Sequence, residues 1–446
     1  MAEQGITVVG AGLAGCEAAW QIARRGVPVT LWEMKPEKYS PAHQSPGFAE
    51  LICSNSLKAA RIDSAAGLLK EEMRRLGSLL TDCAEKSRVP AGGALAVDRE
   101  EFSRLVTAAV EGHPLITVRR GEVSEIPDGT TVVASGPLTS EVLSEKIKEL
   151  CGGSLSFFDA AAPIVTRESI DLDRCFSQSR YDKGDDDYLN CPMNREEYEA
   201  FLDALLSAER APVHSFDVEN PKVYEGCMPI EVLARRGRDA IRYGPMKPVG
   251  LRDPRTGHRP WAVLQLRTEN REKTLYNLVG FQTNLKFGEQ KRVFGMIPGL
   301  LNADFVRYGV MHRNTFLDSP KLLDADYSMR ERPTLFFAGQ MTGVEGYMES
   351  ASSGLLAGVN AVRRMRGQES LILPETTMMG ALSRYISQYE GKDFQPMGAN
   401  FGVLPPLPEK IRNKRERYMA LSRRALAALE AACGLAGETL SIPGAV

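Results

Sequence analysis

Residues 5–34 read GITVVGAGLAGCEAAWQIARRGVPVTLWEM, and the punctuation of this stretch decides the fold. Ile6, Val8 and Val9 form a short apolar run that ends at Gly10, as a buried strand does. From about Leu13 a helix runs to just before Gly26, and Val29 and Leu31 carry a second strand to Glu33. Between strand and helix lies Gly10-x-Gly12-x-x-Gly15, with an acid 23 residues beyond Gly10. Gly10 permits the tight turn, Gly12 lets a pyrophosphate approach the backbone, and Gly15 lets the helix pack close to the strand. Glu33 can accept hydrogen bonds from ribose hydroxyls. A glycine triplet alone is a generic turn; the strand before it, the helix after it and the distal acid make it a dinucleotide site.

The later elements select the dinucleotide. Asp98 to Glu101 has capping-box spacing, and Phe102, Leu105, Val106, Ala109 and Val110 recur at helical intervals. LITVRRGEVSEI (115–126) reads as extended, and TTVVASGPL (130–138) as a strand running into Gly136. Far downstream, TLFFAGQMTGVEGYMESASSGLLAGVNAV (334–362) has an apolar strand, then Gly339 and Gln340, then a helix from about Met348. Backbone amides at that helix start suit a flavin's ribityl–pyrophosphate region or pyrimidine edge. This order favours FAD over NAD, and without a second Gly-x-Gly-x-x-Gly no separate NADPH domain is expected. The predicted fold is α/β: a FAD-binding, Rossmann-type (glutathione-reductase-like) domain split by a large inserted α+β domain. Residues 1–160 and 310–446 form its two parts and 161–309 the insertion.

The composition sets bounds. The 446 residues, 43% hydrophobic and 25% charged, suit a large globular core, and a net charge of −2 gives no global basic field. Any nucleic-acid contact must use local patches, such as Arg235, Arg236, Arg238, Arg242 and Lys247, or the run Lys410–Arg417. A solvated surface is the plain alternative for both. No secretory signal and no membrane-length apolar stretch is visible, so a cytoplasmic protein with no membrane partner is expected. The eight cysteines include no Cys-x-x-Cys pair, which argues against a zinc ribbon, an iron–sulfur cluster and a thioredoxin-like dithiol, and no metal site is expected. Most should be small apolar fillers.

Six stretches agree on one family. GAGLAGCEAA, ELICSNSLK, YEGCMPIEVLARRG, NLVGFQTNLKFGEQKRVF, MHRNTFL and AGQMTGVEGYMESASSGL resemble the bacterial folate- and FAD-dependent tRNA (uracil-5-)-methyltransferases. The likeness runs from residue 5 to about 404, and the two cysteine stretches and the late glycine stretch are its specific parts. FQPMGANFG departs from it, with Gly398 where asparagine is expected, which puts one local hydrogen bond in question. The resemblance implies a T-loop uridine of tRNA as substrate and 5,10-methylenetetrahydrofolate as carbon donor. It further implies reduced FAD as the reductant, with NADPH or NADH as the ultimate electron source.

That chemistry needs three things. A thiolate adding to uracil C6 makes C5 a carbon nucleophile, a base removes the C5 proton, and a hydride turns the methylene into methyl. The resemblance singles out Cys227 as the nucleophile and Cys53 as a second thiol handling protons beside the flavin. Tyr347 and His312 are candidate aromatic neighbours of a pterin stacked on the flavin, with a core tyrosine and a structural histidine as the alternative. Two rival functions stay open: a related flavoprotein that modifies the tRNA wobble uridine, which is longer, and a tRNA-binding chaperone with a structural flavin.

Overall fold

The computed structural model describes residues 5–153, 155–182, 187–211, 228–391 and 394–441. Five parallel strands form the central sheet: β1 (Ile6–Val9), β2 (Val29–Glu33), β3 (Ile116–Arg120), β4 (Thr131–Val133) and β5 (Leu335–Phe337), in the order β5-β4-β1-β2-β3. Ile6 lies opposite Val29, and Val9 opposite both Trp32 and Val133. Such strands are covered on both faces, which is why they read as apolar runs rather than alternating ones. Helix α1 (Leu13–Ala23) follows β1, and α2 (Tyr347–Met365) follows β5.

These two helices meet backbone to backbone. A Cβ at Gly354 would lie 2.1 Å from the Ala14 carbonyl oxygen, and one at Gly358 would lie 2.7 Å from that of Ala18. Small residues four apart on both helices therefore close the C-terminal segment onto the N-terminal one. The strand order reverses direction between β1 and β4, so the loops after them splay apart and leave a crevice at the carboxyl edge of the sheet.

The main buried cluster draws on both ends of the chain, from Ile6 to Ile147 and from Phe316 to Cys433. A second cluster lies between Val165 and Phe305, under a six-stranded antiparallel sheet. Its strands run in the order Phe176–Ser177, Tyr188–Met193, Ala262–Thr268, Leu275–Leu278, Ile164–Thr166 and Phe305–Arg307. An antiparallel ribbon, Leu155–Ala160 against Met311–Phe316, joins the two regions. The architecture is α/β, with a Rossmann-like parallel core and an added antiparallel sheet. Among the described residues no helix is long and apolar enough to cross a membrane.

Candidate active site

Two connected cavities occupy the crevice. The smaller, about 80 Å³, is walled by the loop Gly10–Gly12, Glu33, Lys35 and Ser135. The larger, about 380 Å³, runs on past Gly136, Gly339 and Gln340 to Cys53, Lys58 and Tyr347. Gly12, His43, Glu50, Ser135 and Leu138 line both, so the two form one trough.

The three fingerprint glycines separate by physical role. Gly10 has φ +97°, and a Cβ there would lie 2.7 Å from the Ala134 carbonyl oxygen. A Cβ at Gly15 would fall 1.7 Å from the Gly10 oxygen, so both glycines are demanded by the protein itself. Gly12 is different: φ is −73° and a Cβ would meet nothing within 4 Å. The chain keeps it bare over empty space in the trough, which fits a ligand lying on the loop. Gly136, with φ +77°, opens onto space in the same way.

Glu33 is more occupied than its expected ribose contact required. It accepts the Ala11 N–H at 2.8 Å and the Lys35 N–H at 2.9 Å, so it first holds the glycine loop against β2. Lys35 donates to the carbonyls of Gly47 (2.6 Å) and Ser45 (3.1 Å), ordering the segment that leads to Cys53. Gln340 donates to Glu345 at 2.6 Å on the trough's far wall.

The loop bearing Cys53 is held from below. Tyr347 Oη accepts the N–H groups of Cys53 (2.7 Å) and Ser54 (3.2 Å). Arg99 donates to the carbonyls of Leu51 (2.6 Å) and Cys53 (3.2 Å), and Arg307 to that of Ile52 (2.5 Å). Burial opposes the charge on Arg99, but Glu269 at 2.5 Å holds its guanidinium above the usual value. Arg307, buried and facing the like charge of Arg99, is pushed down. Burial, then the neighbouring Cys53, pushes the Tyr347 phenol up, so it stays protonated.

The antiparallel sheet completes the clamp. Fully buried Asn55 donates to the carbonyls of Val97 and Thr268, both at 3.0 Å, and accepts from Arg267 at 2.9 Å. Arg267 also donates to Ser54 Oγ at 2.8 Å. None of Arg99, Arg267, Glu269 or Arg307 stands out in the sequence, because each is one ordinary charge on a helix or strand.

At the mouth, Lys58 Nζ lies 2.6 Å from Glu349, whose side chain is only 1% exposed. A Cβ at Gly398 would sit 3.3 Å from that ammonium and 3.0 Å from the Glu345 carbonyl oxygen. The departure seen in the sequence therefore falls at the cavity mouth.

Of the expected site residues, Gly10, Gly12, Glu33, Gly136, Gly339, Gln340, Cys53 and Tyr347 all line the trough, while Gly15 lies behind it under the loop. The backbone of His312 lies opposite that of Asp159 in the antiparallel ribbon. Cys227 lies outside the described residues. Downstream of it, Ile230 N–H donates to the carbonyl of Gln282 at 2.7 Å, and Gln282 is on the cavity wall. Cys16, Cys83, Cys151 and Cys433 sit away from the trough, and burial pushes all four thiols up, Cys83 to about 12 and Cys151 and Cys433 to about 11.

Known proteins share both the sequence and the fold. Residues 5–369 match the family described as Glucose inhibited division protein A. A protein of Enterococcus faecalis (strain ATCC 700802 / V583), named methylenetetrahydrofolate–tRNA-(uracil-5-)-methyltransferase TrmFO, is 58% identical over 422 residues. That match covers 94% of this chain and 97% of the relative. The likewise named protein of Desulfitobacterium hafniense (strain Y51) is 60% identical over 427 residues, covering 95% and 97%. This chain belongs to that methyltransferase family. Its fold is shared with the crystal structure of Aquifex aeolicus GidA in form II. There the TM-score is 0.70 at 16% identity, over 97% of this chain and 74% of that one. The trough described above lies where the core's strand order reverses.

Proposed function

We propose that this chain methylates C5 of a uridine in the T-loop of tRNA, taking the carbon from 5,10-methylenetetrahydrofolate. NADPH or NADH is the electron source, and FAD is the bound cofactor. The bare Gly12 loop, with Glu33 behind it, fits the pyrophosphate–ribose end of FAD, and Gly136, Gly339 and Gln340 fit its middle. When bound and reduced, FAD supplies the hydride that converts the methylene carbon to methyl.

The observation that carries the reading is the placement of Cys53. A thiol-bearing loop, tied to Tyr347 and two guanidiniums by its own backbone, projects into a cavity continuous with the dinucleotide trough. Such a loop costs little reorganisation at the moment of reaction. Cys227 is the group assigned to bond uracil C6, and three residues beyond it the Ile230 N–H donates to the carbonyl of Gln282 on the cavity wall, which supports that assignment. Cys53 is assigned to proton handling. Tyr347, kept neutral by burial, offers a flat wall against which a pterin can stack rather than a base. His312 is kept as the second aromatic candidate for that stack.

A T-arm RNA containing 5-fluorouracil tests the assignment, because fluorine cannot leave C5 as a proton and a C6–thiol adduct accumulates. Cys227→Ala should abolish the trapped complex, while Cys53→Ala should lower turnover yet still allow trapping. Trapping that depends on Cys53 and survives loss of Cys227 would reverse the two roles. Full methylation by both variants would return both thiols to packing.

A further inference from the structure

The basic run Lys410–Arg417 has no task in the mechanism above, yet its Arg415 shares Asp63 with Arg61, three residues beyond Lys58 on the cavity wall. We infer that the surface from Lys58 through Arg61 to the start of the helix Lys414–Ala436 is the track for the RNA substrate's phosphate backbone. The inference rests on the reading of the chain as an RNA-modifying enzyme, and it names the face that the RNA meets.

The surface is continuous with the site. The strand Ser56–Ala59 carries Leu57 and Lys58 on the cavity wall and leads out to Arg61. Arg61 and the C-terminal helix's Arg415 both reach the same buried carboxylate, Asp63, at 3.1 and 3.0 Å. One negative charge thus serves two guanidiniums whose side chains are 54% and 79% exposed, and the pair keeps a net positive charge toward solvent. Ser422 Oγ donates to the Ile62 carbonyl at 2.7 Å and fixes the helix to this strand end.

The other side of the mouth leads to the same helix. Gly398 faces Lys58, and a few residues on Phe401 packs against Tyr418 with ring centroids 4.4 Å apart. Lys414 Nζ lies 5.5 Å and Arg417 Cζ 5.6 Å from the Tyr418 ring. Between Lys410 and Arg417 there are five cations and one acid, Glu416. Among the described residues no carboxylate pairs with Lys410, Arg412 or Lys414. Cations interleaved with half-buried aromatics are what an exposed RNA loop and its backbone require.

The insertion's basic patch differs in its pairing. Arg238 pairs with Asp203 at 3.0 Å, Arg242 with Asp239 at 3.2 Å, and the neighbouring Arg195 with Glu199 at 2.8 Å. Two of that patch's five cations, Arg238 and Arg242, are thus neutralised locally. With a net charge of −2, Lys410, Arg412 and Lys414, which have no carboxylate partner among the described residues, are charges a polyanion can use.

The test uses the full-length protein and an unmodified tRNA transcript. The triple variant Lys410→Ala/Arg412→Ala/Lys414→Ala should bind at least about 10-fold more weakly near 0.15 M salt. Its plot of log affinity against log salt should flatten by roughly two to three units, since each lost phosphate contact removes about 0.7–0.9. The charge control Lys146→Ala/Lys148→Ala, on the helix Glu141–Cys151, should keep the parental slope. Should the triple variant fail to retain its parental circular dichroism, the single reversal Arg412→Glu carries the test and should bind more weakly than Arg412→Ala. Parental affinity and slope in the triple variant, or an equal loss in the control, would overturn the track. A parent protein that binds no tRNA at any salt would instead overturn the functional reading beneath it.

Discussion

Gly12 and Gly15 belong to one motif, but the structure gives them opposite dependences. Gly12→Val meets empty space, so the apoprotein should melt within about 0.5 kcal/mol of the parent. Its FAD affinity should fall by more than about 100-fold, some 2.7 kcal/mol, because the side chain fills the pyrophosphate's place. Gly15→Val drives a Cβ into the Gly10 carbonyl and should destabilise the fold itself, by on the order of 3 kcal/mol. Calorimetry of both apoproteins, followed by flavin titration, separates the two. Equal melting losses would show that Gly12 is a packing residue. The motif was legible in the sequence. So was the task of each glycine; the atoms opposite each absent Cβ, which set the cost of filling the position, were not.

Helices α1 and α2 lie more than 300 residues apart in sequence yet share a backbone contact at Ala14–Gly354 and Ala18–Gly358. Gly358→Val should cost about 1–3 kcal/mol by overpacking, read from denaturant midpoints. A second element-level device is Glu72, fully buried, which accepts the N–H groups of Met378 (2.7 Å) and Met379 (2.8 Å) at the start of another helix. Burial raises its pKa to about 8 despite those bonds. The folded state therefore holds the proton more tightly than the unfolded one. This contribution is fully present below about pH 4.5 and is lost as pH rises through about 8. Glu72→Gln, which cannot titrate, should show a smaller fall in melting temperature between pH 5 and pH 8 than the parent. A parental pH profile in the variant would remove Glu72 from the linkage. Strand–glycine–helix punctuation marked α1 and α2 as helices, whereas their mutual contact needed three-dimensional closure.

At the scale of the molecule, the antiparallel region serves the parallel one through Arg267. This residue holds Ser54 and Asn55 from the strand Ala262–Thr268, although its own chain region packs in a separate apolar cluster. Arg267→Ala would leave the buried Asn55 carbonyl oxygen without its donor, a loss of about 1–3 kcal/mol. The flavin spectrum should be unchanged, since no expected FAD contact lies in that region, while methylation should fall by at least about 10-fold. Loss of bound FAD in this variant would show that the clamp supports the dinucleotide trough rather than the thiol loop.

Local pattern alone determined the βαβ start, the glycine loop with its distal acid, the late strand–glycine–helix unit and the stretches that mark the family. Each is written within about 35 consecutive residues, where strand, turn and helix preferences act directly on neighbouring positions. Only the tertiary structure decided that Glu33 braces the glycine loop, that Arg99, Arg267 and Arg307 grip the Cys53 loop, and that Lys58 meets Glu349. It also decided that Arg415 of the C-terminal basic run meets Asp63. These partners are separated by 22 to 352 residues, and a single charged side chain carries no local sign of the partner it will find. Their pairing follows from burial, which makes an unmatched carbonyl or charge costly and so selects the one fold in which each is answered.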